Sequence, residues 1–132
     1  MILKLSIKNY ILIEKLNVNF KEGFSSITGE TGAGKSIILG ALNLISGARV
    51  DHQIVGPKNE KCIVEGEFLI SESLVDFFNF HDLDFDDHTI LRREILVNGK
   101  SRAFINDSPV KLDIIKSLSE KLINIHSQNH NH

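Results

Sequence analysis

Polar and apolar residues alternate along the start of the chain. Ile2, Leu3, Leu5 and Ile7 stand against Lys4, Ser6 and Lys8, which predicts a strand over 2–8 with one buried face. Asn9-Tyr10 reads as a turn. Leu16, Val18 and Phe20 alternate with Lys15, Asn17 and Asn19, so 11–20 is a second predicted strand. Lys21-Glu22-Gly23 is turn-like, and Phe24 to Thr28 form a short strand running into a glycine-rich stretch. The period then changes. Over 35–46, Ile37, Ile38, Ala41, Leu42 and Ile45 recur at helical spacing, with Gly47 as the stop.

Residues 48–61 are mixed and polar and read as loop. Residues 62–70 give a further strand, and Ser71 can cap a short helix over 72–79. The stretch 81–88 is acidic and expected to be exposed. Strands over 89–97 and 101–106 form a hairpin joined by Asn98-Gly99, a dipeptide that accepts positive φ. Asp107-Ser108-Pro109 reads as a helix start, continuing to about Lys121, with proline in the first turn. Leu122 to Ile125 reads as a last short strand.

Composition narrows the class. The chain has 132 residues, enough for one domain or part of one, with 42% hydrophobic and 24% charged residues. Its net charge is −2, so it lacks the basic footprint of a general nucleic-acid binder. A single cysteine, Cys62, rules out an internal disulfide and suits a reducing compartment. The N-terminus lacks a signal-peptide layout, and no apolar run reaches the ~18 residues of a membrane span. The expected location is the cytoplasm, with no membrane partner.

Residues 29–36 carry the chemistry. They read GETGAGKS and match G-x-x-x-x-G-K-[ST], the P-loop. A phosphate chain is densely negative. The loop meets it with inward N–H groups from Gly29, Glu30, Thr31, Gly32, Ala33 and Gly34 and with the positive end of the following helix. Lys35 is placed for the β- and γ-phosphates, and Ser36 for Mg²⁺. The motif follows a predicted strand and opens a predicted helix, which is the context it needs. Hydrolysis also needs a carboxylate at a strand end and a group that orients water. Asp76 lies in a helix-like run and Asp107 in a hairpin, so that half is missing from this chain.

The opening LSIKNYILIEKLNVNFKEGFSSITGETGAGKSIILGALNLISGAR, followed by LRREI, NGKSRAFIND and LINIHSQNHNH, resembles the start of the RecN family of bacterial DNA repair proteins. These are SMC-like ATPases with an ABC-type head and a coiled-coil arm. The resemblance implies an α/β P-loop NTPase fold: the N-terminal lobe of an ABC/SMC-type head. It implies three layers, a mixed sheet around the P-loop helix, and an antiparallel β portion. Residues 1–132 would be the part of a head that ends just after its glutamine loop.

It further implies ATP and Mg²⁺ as ligands, and Gln128 as the glutamine that touches Mg²⁺ and the attacking water. It implies a second head domain or a homodimer as partner, with ATP sandwiched between two heads, and DNA contact through the longer protein at the nucleoid. The signature motif, the Walker B strand and its Glu lie downstream in that family, so this segment alone is expected to be inactive. Ser127 stands where the family usually has glycine before the loop glutamine, and Asn129-His130-Asn131-His132 follows it. Val55-Gly56, with Lys58 nearby, occupies a region where many relatives carry a basic residue.

Other residues carry two readings each. Asn9 sits where SMC-like heads present a residue near ribose or adenine, and it is also a plain turn residue. Arg92, Arg93 and Arg102 cluster around the hairpin, as a contact for DNA or a second head, or as a solvated β-face. His126, His130 and His132 read as a polar tail rather than a metal site. Two rival functions stand beside the ATP-binding head: a non-catalytic assembly module with a degenerate phosphate loop, and a small P-loop kinase or GTPase. The latter needs a base-reading motif such as N-K-x-D, which the sequence lacks.

Overall fold

A computed structural model describes residues 1–20, 32–50, 54–56 and 59–130, and only the backbone at 32–33 and 123–130. In chain order the elements are β1 (Ile2–Tyr10), β2 (Ile13–Asn19), α1 (Gly32–Ile45), β3 (Cys62–Leu69), α2 (Val75–Phe80), β4 (His88–Ile95), β5 (Ser101–Ile105), β6 (Ser108–Val110) and α3 (Leu112–His130). A 3-10 turn, Glu72–Leu74, precedes α2, and the Ser71 hydroxyl caps it by accepting from the Ser73 N–H at 3.1 Å.

The six strands form one sheet in the order β2-β1-β3-β4-β5-β6, and every described pairing is antiparallel. The expected turn at 21–23 and strand at 24–28 lie outside the described residues.

Strand alternation decides which face is covered. Leu5 pairs with Gly66, Gly66 with Leu91, and Leu91 with Ile105, so these share a face. All four are buried. Helix α1 packs on β3 and β4 over this face, and α3 packs on β5 and α1. Gly66 permits the approach: a Cβ there would stand 2.7 Å from the Ile45 Cδ1 atom. The opposite face carries Lys4, Ser6, Lys8, Glu65, Glu67 and Arg92. The described residues therefore make two layers, not the expected three. An antiparallel sheet can leave one polar face in water without loss.

Three local expectations change. β1 runs on through Asn9 and Tyr10, and the turn falls at Ile11-Leu12. Asp107-Ser108-Pro109 is no helix start. Asn106 and Asp107 take positive φ (49° and 69°) and make a tight turn into β6, which pairs with β5 through Ala103↔Val110. Proline is tolerated because β6 is an edge strand. Finally, Leu122 to Ile125 are not a strand. Ile115, Leu118 and Leu122 bury one face at helical spacing, and α3 continues through them. The Asn98-Gly99 hairpin holds, with a five-residue connection in which Gly99 alone takes positive φ.

Candidate functional site

Helix α1 opens with the second half of the glycine-rich motif. Gly32 and Ala33 are its first residues, and Gly29, Glu30 and Thr31 lie outside the described residues. Gly34 is half-buried, while Lys35 and Ser36 are exposed on the first turn. That turn contains no carboxylate. The first N–H groups of a helix have no partner within it, and the aligned peptide dipoles place about half a positive charge there. Acidic residues often neutralise such an end. The first turn of α1 has none, and it sets the Lys35 ammonium and the Ser36 hydroxyl beside that positive end.

The other end of α1 is built oppositely. The last turn holds no basic residue. Its cation comes from the sheet. Arg93 of β4, 1% exposed, donates from Nη1 to the Leu44 and Ala48 carbonyls, both at 2.9 Å, and from Nη2 to the Ser101 hydroxyl at 3.1 Å. The Ser119 hydroxyl of α3, also buried, donates to the Ser46 carbonyl at 3.2 Å. Gly47 takes φ +91°, ending the helix as expected, and Lys116 of α3 lies directly over it. Burial pushes the Arg93 guanidinium below its usual pKa. Arg93 is thus a cap for the helix and is withdrawn from any surface.

The three hairpin arginines do not form one basic cluster. Arg92 lies on the open face among Glu65 (3.6 Å), Glu94 (3.3 Å) and Asp107 (3.1 Å), with its guanidinium 4.1 Å above the Phe104 ring. Arg102 is exposed and stands 4.0 Å from Glu94, which Lys61 also approaches at 3.4 Å. Most of the positive charge is answered locally.

Asn9 is placed at the end of β1, at φ +53°. Its amide donates to the Glu60 carboxylate and the Lys61 carbonyl, both at 3.2 Å, and its own carbonyl accepts from the Gly56 N–H at 3.0 Å. Ile11 donates to the Ile54 carbonyl at 2.6 Å, so the strand tip is fastened to Ile54, Gly56, Glu60 and Lys61. Tyr10 reaches α1 instead. Its hydroxyl sits against Gly40, where a Cβ would collide with it. The β1 tip and the phosphate-facing helix are thereby in contact through one buried ring.

Gln128 lies on α3, with its side chain outside the described ones. Its setting differs from the expected strand-to-loop junction, because the backbone there is helical. His126 and His130 are on the same helix. Among the described residues no three His, Cys, Asp or Glu side chains converge on a metal position. Cys62 is fully buried and its thiol is pushed up to about 11 by desolvation, as a small core residue would be.

Sequence reasoning missed Arg93 as a cap, Ser119, and Asn106. Asn106 completes the sheet. Its side-chain oxygen accepts from the Ile90 N–H at 2.8 Å while its backbone N–H donates to the Ile90 carbonyl at 2.9 Å. Arg93 was findable in part: in Leu91, Arg93, Ile95 it occupies an inward position of the alternation.

A family model described as an AAA domain matches residues 4–132. The chain belongs to the AAA domain family. Within it, the relatives by sequence are DNA repair proteins RecN. That of Vibrio cholerae is 40% identical over 130 residues, covering 97% of this chain and 24% of the relative. That of Bacillus subtilis is 37% identical over 134 residues, covering 99% and 23%. The chain thus spans about a quarter of the length of the curated relatives it matches.

Among solved structures, one from work on ATP-driven dimerization and DNA-stimulated activation of SMC ATPases superposes with a TM-score of 0.66 at 22% identity, over 88% of this chain and 75% of that one. The Smc head domain of Pyrococcus yayanosii gives 0.63 at 20%, over 89% and 24%. The AAA domain described here therefore has the fold of an SMC-type ATPase head lobe.

Proposed function

We propose that this AAA domain holds the phosphates of ATP at residues 29–36, as the nucleotide-binding lobe of a RecN-type DNA repair ATPase. One observation carries the reading. The P-loop opens a helix whose first turn exposes Lys35 and Ser36 and carries no carboxylate, in a chain that aligns along its length with RecN proteins. Lys35 neutralises the β- and γ-phosphates. The loop N–H groups hold oxygens, and the Ser36 hydroxyl is the ligand this helix offers to Mg²⁺. The residues present fit that ion, since a hydroxyl on an exposed first turn can reach both metal and phosphate. Mg²⁺ supplies charge neutralisation across the phosphate oxygens when bound.

Further roles extend the same reading. Gln128 senses the γ-phosphate, Asn9 stands near the sugar or base, and a second head completes the site. Contact with DNA belongs to the longer protein, acting at the nucleoid in the cytoplasm. Without a Walker B carboxylate the segment binds nucleotide weakly and turns over almost none.

Titration of Mg²⁺-ATP against the wild type and Lys35→Ala tests the reading. Binding by the wild type and at least ~10-fold weaker binding by the variant is expected, from losing a charge-assisted contact of about 1.5–3 kcal/mol. Equal affinities would favour the assembly module instead.

A further inference from the structure

The uncovered sheet face, the acidic stretch beside Phe80 and the buried cap of α1 are the features that the proposed site does not absorb. The first two show nothing that says what covers them. The third has a direction.

Arg93 is a buried guanidinium whose described polar partners are two carbonyls at the end of α1 and one hydroxyl of β5. Burying a cation is costly unless its donors are used. Among the described residues no carboxylate ion-pairs with it, so the helix end itself is the counter-pole. That end has no cation of its own. α1 has 14 residues, so the cap and the first turn lie on the order of 20 Å apart along one rigid rod.

The cap is also braced sideways. Ser101 ties the guanidinium to β5, and Ser119 and Lys116 bring α3 onto the neighbouring Ser46 carbonyl and the Gly47 turn. Sliding α1 along its axis breaks both Nη1 bonds at once. Ile45 packs closely on Gly66 of β3, a contact that carries no hydrogen bond to the helix end.

We infer that Arg93 is a positioning residue for the phosphate site. It fixes how far the first turn of α1 projects toward the ligand, by holding the helix from its far end. It does not touch nucleotide. The inference rests on the proposed ATP reading and deepens it.

The test uses the full-length protein and Mg²⁺-ATP as probe, with affinity and thermal midpoint measured in parallel. Arg93→Met keeps the side chain's length and removes its charge and donors. Arg93→Lys keeps the charge but cannot span the three acceptors. Ile45→Val weakens the same helix without touching the cap. Arg93→Met should weaken ATP about 10-fold, and Arg93→Lys about 3-fold. Ile45→Val should change affinity less than about 2-fold, whatever its thermal shift.

If Arg93→Met does not fold, Arg93→Lys decides alone, and wild-type affinity in it overturns the inference. Equal loss in Ile45→Val and the arginine variants at matched thermal shift also overturns it, since that reports general loosening. Unchanged binding in Lys35→Ala sinks the ATP reading and this inference together. Loss in Lys35→Ala with full affinity in Arg93→Met sinks the inference alone.

Discussion

The two ends of helix α1 are opposites. At the first turn, Lys35 and Ser36 stand in solvent and the helix's own first turn holds no carboxylate. At the last turn, the carbonyls of Leu44, Ser46 and Ala48 are met by Arg93 and Ser119, two buried side chains from different elements. One end exposes its side chains and the other is held by buried ones. A helix that must meet a ligand with one end gains from being fixed by the other. Substitutions should therefore act differently at the two ends: on affinity alone at Lys35, and on stability together with affinity at Arg93.

The largest effect on folding is expected at the anchored end. Ile45→Ala removes a fully buried side chain packed against β3 and should cost about 3 kcal/mol in urea unfolding. A loss under about 1 kcal/mol would mean that the helix end is not the core element described. Arg93→Met should follow at about 2 kcal/mol, because orphaned carbonyls outweigh the relief of a buried charge. Stabilisation by this variant would reverse that ranking.

Gly47→Ala should lose about 2 kcal/mol. At φ +91° an L-residue is strained, and the new Cβ would lie 2.9 Å from the Lys116 Cβ. An unchanged unfolding midpoint would show that α3 does not press on this turn. Ser119→Ala, which frees one carbonyl, should cost about 1 kcal/mol. Smallest on this scale is Lys35→Ala at the open end, within about 0.5 kcal/mol of wild type. The same variant should show the large loss of ATP affinity given above. A variant at the open end that moved stability and affinity in proportion would dissolve the distinction.

How much of this could be read in advance follows the same division. The open end was legible because its chemistry is written in one contiguous motif, and Gly47 marked the stop of the helix. The alternating strands were legible too, since Leu5, Ile7, Val64, Leu91 and Ile105 carry a two-residue period into the buried face. The anchored end was not. A guanidinium is ordinarily a surface group, and only the packed tertiary structure shows that Arg93 meets carbonyls 45 and 49 residues earlier in the chain. β6 was missed because a three-residue edge strand with Pro109 leaves no periodic trace, while Asn106-Asp107 makes its turn by accepting positive φ. α3 was cut short because Leu122 to Ile125 is apolar in a run too short to distinguish strand from helix.

The register of β1 on β3 has a consequence for the order of folding. Ile2 lies beside Phe68, and Lys8 beside Ile63, so this pairing joins residues separated by roughly half the sequence. β4, β5 and β6 are instead a meander of neighbours. Closing a long segment costs more chain entropy than zipping adjacent strands. The segment that β1 and β3 close is the one that contains α1. The phosphate-facing helix therefore comes to rest only when the slowest contact has formed, after the platform it leans on. Pulse-labelled hydrogen exchange during refolding should show amides of 88–105 protected before those of α1, and simultaneous protection would refute that sequence of events.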